Sequence, residues 1–239
     1  PKPCIPVNGS LMFLQALKCL PNTNDIIFAS LKSHKHLFNL DEYGKVVWLD
    51  NVLEGQACTT ERIVNQISNP NMSFLVSACD NGILYDSDKF LNLVNNFDND
   101  IIVWSYRNNF TSYRNPNAYS WLDVDDENII RKVNVKDYKG VNPLDEFAVV
   151  GTMFFRNKEI YNNSLKKLYE KNIRTNGEFY IDNLLNEAIE LGYIVRNFEV
   201  DEYICWGTPN DLKTYEYWQT FFNKVNWHPY EYEKDYLTN

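Results

Sequence analysis

Short apolar runs alternate with helical stretches from the first residues onward, and that alternation leaves the chain few architectures to choose from. Asp25–Ser30, Lys45–Leu49, Phe74–Ala78 and Asp100–Trp104 are rich in β-branched and aromatic residues and read as strands with largely buried faces. Between them, Leu11–Leu20 and Thr59–Ile67 have the length of single crossover helices, and Asp88–Asn96 places Phe90, Leu91 and Val94 at helical spacing. A strand–helix–strand rhythm predicts an α/β fold, a mixed and mostly parallel sheet with helices on both faces.

The rhythm changes at Ala118–Val124 and Ile129–Val135, two strands around the turn-like Asp125–Asn128, which predict a hairpin. Ala148–Phe155 follows as a buried strand. Helices are then expected over Lys158–Lys171, with Ile160, Leu165 and Leu168 on one face, and over Glu178–Leu191, with Gly192 just past its end. A strand over Tyr193–Cys205 leads through Gly207–Asp211 into a last helix ending near Lys224, where Thr208 can cap and Pro209 sits at the first helical position. Neither a repeat nor a linker divides the sequence, so residues 1–239 are expected to form a single domain.

Charge and cysteine usage narrow the function. The net charge is −9, with Glu231, Glu233 and Asp235 adding acidity near the end. A nucleic-acid surface needs a basic stripe, so nucleic acid is not the expected partner. A single triphosphate needs only a few cations, backbone N–H groups and a metal ion, and it remains possible. The longest apolar runs, such as Ala148–Phe155, fall short of the ~20 residues of a membrane span, and no signal-peptide pattern opens the chain. Cys4, Cys19, Cys58, Cys79 and Cys205 follow neither a metal-ligand nor a disulfide spacing. A soluble protein of the reducing cytoplasm is the expectation.

Four clusters carry chemistry, each with an ordinary alternative. Pro1–Gly9 holds Lys2 among three prolines, which predicts a stiff, extended cation mount; the alternative is a solvated loop. Gly55, Gln56 and Ala57 follow the strand ending in Leu49, where a glycine beside an amide lets the chain approach a flat base; the alternative is a helix-capping turn. Asp80 ends an apolar strand at the sheet edge where open α/β sheets bind ligands, and one carboxylate with phosphates and waters suits Mg²⁺; the alternative is a turn cap. Gly151 and Thr152 sit within a strand, where glycine weakens pairing unless something approaches closely. Glu178 sits at an expected helix start and either accepts hydrogen bonds from a polyol or complements the helix dipole.

In this order the clusters resemble the sugar-nucleotidyltransferases, among them the sugar-1-phosphate thymidylyl-, uridylyl- and cytidylyltransferases of capsule and surface-polysaccharide synthesis. Pro1-Lys-Pro-Cys-Ile-Pro-Val-Asn-Gly9 is similar to the family's Pro-Lys-Pro-Leu-Ile-Pro-Val-x-Gly signature, and Gly55-Gln-Ala57 to its base-reading loop. Ser77–Asn81, Val150–Phe155, Asn176–Asn183 and Trp206–Leu212 recur in the expected sequence. The resemblance implies a Rossmann-like fold and in-line attack of an acceptor phosphate oxygen on the α-phosphorus of an NTP, with release of pyrophosphate. It implies that Lys2 meets the acceptor phosphate and the charge growing at the α-phosphate, that Gly55, Gln56 and Ala57 bind the nucleotide, and that Asp80 holds Mg²⁺ or Mn²⁺. Gly151, Thr152 and Glu178 would face the acceptor. CTP, UTP and dTTP all fit one base-reading glutamine.

Two departures stand out. The family's Gly-rich triphosphate loop lies upstream of the residues matched, so the resemblance begins just after it. The late strand ends Ile204-Cys-Trp-Gly, where many relatives carry a second metal-binding Asp; Asp201 and Asp211 are out of register. A non-sugar acceptor such as phosphocholine or a phosphorylated amino acid therefore stays open. A nucleotide-sugar glycosyltransferase would need an Asp-x-Asp metal motif, and Asp86-Ser-Asp88 has that spelling but the position of a helix cap.

Overall fold

The computed structural model describes residues 1–225 and Trp227; Glu231, Glu233 and Asp235 lie outside them. In chain order the elements begin with β1 (Pro6–Val7), β2 (Ser10–Leu11), α1 (Met12–Lys18), β3 (Ile27–Leu31), β4 (Lys45–Leu49), α2 (Gln56–Val64), β5 (Phe74–Ser77), β6 (Asn81–Leu84), α3 (Ser87–Asn95) and β7 (Ile101–Tyr106). They continue with α4 (Phe110–Arg114), β8 (Ser120–Val124), β9 (Ile130–Val135), β10 (Phe147–Phe155), α5 (Lys158–Lys171), α6 (Ile181–Glu190), β11 (Val195–Glu199), β12 (Glu202–Cys205) and α7 (Pro209–Lys224).

The central sheet has the order β11-β7-β10-β8-β9, with β5 also paired to β10. Every residue of β7 is buried, and its alternation feeds two cores. Ile101 and Val103 pack with Ala57 and Val64 of α2, Leu165 and Leu168 of α5, and Leu184, Leu185 and Ala188 of α6. Ile102 and Trp104 face the other way, onto Phe90 of α3 and Phe198 of β11. Helices on both faces are thus the consequence of a strand that is buried at every position and apolar at all but Ser105, each large side chain contributing about 1.5–3 kcal/mol on burial. The expected mixed α/β architecture is present. Its parallel pairs are β7–β11 and β3–β4, whereas β10 runs antiparallel to β5, β7 and β8. A strand buried on both faces reads the same in either direction, so its pattern does not announce its polarity.

A third, smaller core joins the two ends of the described chain. Val7, Met12 and Ala16 pack with Trp206, Leu212 and Tyr215, and the Asn8 amide donates to the Tyr215 hydroxyl at 2.6 Å. The opening segment is not the extended mount expected from its prolines: Lys2–Cys4 form one 3₁₀ turn, with the Cys4 N–H donating to the Pro1 carbonyl at 3.0 Å.

Several boundaries follow capping chemistry. Asp86 Oδ1 accepts from the Asp88 and Lys89 N–H groups, both at 3.0 Å, so Asp86-Ser-Asp88 caps α3. Thr208 caps α7 as expected, and Gly192, at φ +87°, follows α6. Other boundaries moved. α2 starts at Gln56, with Gly55 as its cap residue. α6 starts at Ile181 rather than Glu178, because Asn176 (φ +52°) and Gly177 (φ +83°) make a tight turn closed by reciprocal backbone bonds between Thr175 and Glu178. The strand expected over Tyr193–Cys205 breaks into β11 and β12, and β12 pairs with β6, an element the sequence pattern did not reveal.

Candidate active site

Lys2 and Asp80, distant in sequence, meet at the end of β5. Lys2 Nζ donates to Asp80 Oδ2 at 2.9 Å, with side chains 48% and 26% exposed. The main chain at Asp80 is held in turn by Trp206, whose N–H donates to the Asp80 carbonyl at 2.9 Å. Gly207 follows Trp206, and a Cβ there would stand 3.2 Å from Asp80 Oδ2 and 3.4 Å from Cys205 Sγ, so the chain passes this carboxylate closely. Burial pulls the Lys2 ammonium down, but the hydrogen bond and charge of Asp80 outweigh it and its pKa is raised. Burial, with the Asp80 charge beside it, pushes the Cys79 thiol up to about 11 and keeps it protonated.

Gly151 meets the chain just before Asp80, at Ala78. It lies where β10 loses register with β7, at φ +94°, and its carbonyl accepts the Ala78 N–H at 3.0 Å. Thr152 is fully buried and its hydroxyl lies 2.8 Å from that of Ser77. Its side chain therefore ties β10 to β5 rather than facing an acceptor, which corrects the role implied for it.

The second group is a pair of loops locked together. The Phe179 N–H donates to the Glu54 carbonyl (2.8 Å) and the Ala57 N–H to the Phe179 carbonyl (3.0 Å). Gly55 lies between them at φ +132°, and a Cβ would come within 2.5 Å of the Phe179 carbonyl oxygen and 2.7 Å of its nitrogen. Only glycine fits. Ala57 is fully buried and Tyr161 donates to its carbonyl at 2.7 Å, so its side chain belongs to the core. Gln56 and Glu178, in contrast, are exposed, one on each loop.

The two groups are connected through β8 and β10. Ala148 stands opposite Trp121, and the neighbouring Ser120 donates to Asp182 Oδ2 at 2.5 Å, at the start of α6 just beyond the Glu178 loop. A cation that sequence reading passed over lies here as well: Lys136 Nζ sits 5.2 Å from the centre of the Tyr180 ring and donates to the Ala118 carbonyl at 2.8 Å. Nothing in its sequence surroundings marks it. Burial raises the pKa of Asp182, against the lowering effects of Ser120 and Lys136. A raised folded pKa means that the native state holds this proton more tightly than the unfolded chain does, so the group's contribution to stability falls as pH rises from the unfolded value through the folded one. Asp182→Asn is therefore expected to gain in melting temperature relative to the parent as pH is raised from about 3.5 to 7; a constant difference across that range would contradict this ionisation.

Asp80 offers one carboxylate, and among the described residues no group of three or more His, Cys, Asp or Glu gathers around a common point. Mg²⁺ is typically held by one or two carboxylates with the remainder from waters and substrate phosphates, so a single Asp fits that mode but not an all-protein cage. Two concavities, of about 420 and 490 Å³, are lined by Arg107, Asp145 and Glu199 and by Glu61, Asn162 and Tyr169 respectively. The candidate residues line neither. Among the described residues, no helix is long and apolar enough to cross a membrane.

No family model and no curated protein matches the sequence. Solved structures do match in shape over nearly the whole chain. A nucleoside-diphosphate-sugar pyrophosphorylase from Vibrio cholerae superposes with a TM-score of 0.69 at 16% identity, covering 90% of this chain and 91% of the other. The inositol-1-phosphate CTP transferase of T. maritima gives 0.68 at 17% identity, covering 94% and 89%. A putative glucose-1-phosphate thymidylyltransferase from Bacillus anthracis gives 0.67 at 15%, covering 95% and 88%. The chain has the fold of these nucleotidyltransferases, the fold that the sequence resemblance implied.

Proposed function

We propose that this protein is a nucleotidyltransferase that transfers a nucleoside monophosphate from CTP, UTP or dTTP to a phosphorylated small molecule, a sugar 1-phosphate by preference, in the cytoplasm and in the service of surface-polysaccharide synthesis. The observation that carries this reading is the Lys2–Asp80 pair at the sheet edge, a cation and a metal-competent carboxylate 2.9 Å apart, with Gly207 passing close to the carboxylate. In the reaction an acceptor phosphate oxygen forms a bond to the α-phosphorus while the bridge to the β-phosphate breaks, and pyrophosphate leaves. A divalent ion on Asp80 would neutralise phosphate charge. Lys2 would lie against the charge that grows at the α-phosphate, and the protein's task is positioning and electrostatics rather than covalent chemistry. Gln56 reads the base and Glu178 accepts hydrogen bonds from the acceptor. Pyrophosphate release is measured for four NTPs against a panel of phosphorylated acceptors, and release with none of them would sink the proposal.

One observation favours a narrower second reading. Asp86-Ser-Asp88, the Asp-x-Asp spelling that follows β6, belongs to a helix cap, which removes its support for a glycosyltransferase. The T. maritima neighbour is named for CTP and a cyclitol phosphate, which supports keeping cytidylyl transfer to non-sugar phosphates in the acceptor panel.

Glu178→Gln tests the acceptor side. It keeps the shape but removes charge-assisted bonds worth about 1.5–3 kcal/mol each. The expected result is a fall of about ten- to a hundredfold in kcat/KM for the acceptor at saturating NTP, with the KM for NTP nearly unmoved. Since α6 begins only at Ile181, the melting temperature should hardly shift. A drop in stability without an acceptor defect would remove Glu178 from the site.

A further inference from the structure

Arg174 is bound more extensively than a surface arginine needs to be. Its Nη2 donates to Glu54 Oε2 at 2.5 Å, Nη1 to the Gly177 carbonyl at 3.0 Å and Nε to Asn172 Oδ1 at 2.8 Å. Its guanidinium carbon lies 3.8 Å from the centre of the buried Phe179 ring. The carboxylate belongs to the loop carrying Gln56, whereas the carbonyl and the ring belong to the loop carrying Glu178. One planar cation thus spans the two loops whose backbones already exchange hydrogen bonds across Gly55. The spacing of donors on a guanidinium makes it suited to hold two partners at a fixed angle, which a lysine does not do.

We infer that Arg174 and Glu54 are positioning residues that make nucleotide binding at Gly55–Ala57 order the Thr175–Tyr180 loop, so that the acceptor site is completed only once the base is in place. The inference rests on the proposed function, because it takes Gln56 and Glu178 as the two substrate contacts. Its physical basis is local. Gln56 follows Gly55 directly, and Gly55 cannot move without displacing the Phe179 backbone against which it is packed. The Glu54 side chain, 68% exposed, is tied to that same loop through its ion pair with Arg174. A nucleotide that stiffens the first loop therefore stiffens the second through a single ion pair and two backbone bonds. In thermodynamic terms the two substrates are coupled, and each raises the affinity for the other by the same factor.

The test is backbone hydrogen exchange in the full-length protein, with and without CTP, UTP or dTTP in the presence of Mg²⁺, for the parent, Arg174→Ala and Glu54→Gln. Glu54→Gln alters an exposed side chain and guards against a folding defect in the arginine variant. The expected result is that one nucleotide slows exchange in residues 53–57 and also in 175–180 of the parent by at least about fivefold, the lower end of common coupling factors. In both variants the protection of 53–57 should persist while that of 175–180 is much reduced, the backbone bonds across Gly55 alone carrying what remains. Protection confined to 53–57 in the parent would overturn the coupling and leave the site reading intact. Equal protection of both loops in parent and variants would make Arg174 a structural staple and also overturn it. If no nucleotide protects 53–57, the base-reading loop itself is wrong and the coupling falls with it.

Discussion

Asp80→Asn is expected to lower turnover by at least ~10²-fold, about 2.7 kcal/mol of transition-state stabilisation, because the substitution removes the charge that a divalent ion and its phosphates need while leaving the shape. Stability should barely change. The backbone bond from Trp206 to residue 80 survives any side-chain substitution, and the ion pair with Lys2 is partly exposed, a class of interaction worth about 0–1 kcal/mol. Intact activity accompanied by a lowered melting temperature would show that Asp80 is only a turn residue. Steady-state pyrophosphate release beside a thermal melt distinguishes the outcomes.

Lys2→Ala should have an effect of similar size but a different signature. A cation lying where negative charge develops strengthens its interaction in the transition state, and removing one such preorganised group commonly costs ~10²–10³ in kcat. The KM for NTP should rise much less. Equal losses in both would recast Lys2 as a simple phosphate anchor, and full activity would mean that the pair with Asp80 is incidental. Because the two side chains share a hydrogen bond, the double variant is expected to be less damaged than the product of the single effects.

The regular parts of this fold were legible because they depend on short-range pattern. Lys45–Leu49 and Lys158–Lys171 appear with the bounds their sequences dictate, and Thr208 and Asp86 cap as their side chains require. What escaped depends on partners. β6 is too short and too near Asp80 to stand out, and it becomes a strand because β12 lies beside it. Glu178 resembles a helix-start acid until the left-handed Asn176 and Gly177 close their turn around it. Thr152 looked available for a ligand because nothing in the sequence shows that Ser77 faces it. Lys136 carries no local mark at all, and its position next to Tyr180 follows from the hairpin's register alone. Motif order could bring Lys2 and Asp80 into one hypothesis, but their contact required the fold.

The small core that joins Val7, Met12 and Ala16 to Trp206, Leu212 and Tyr215 has a consequence for the order in which the protein becomes competent. Chains are made from the N-terminus and tend to fold in that direction as they emerge. Lys2 is synthesised long before Trp206 and the first turns of α7, yet these are what anchor the segment that carries it. Between those moments Asp80, the Gly55 loop and the Glu178 loop have all been made, while the segment that carries the lysine still lacks its anchor. On the proposed function, the nascent protein would carry the residues assigned to the nucleotide before it holds Lys2 in place, and assembly of α7 would be the event that completes the site.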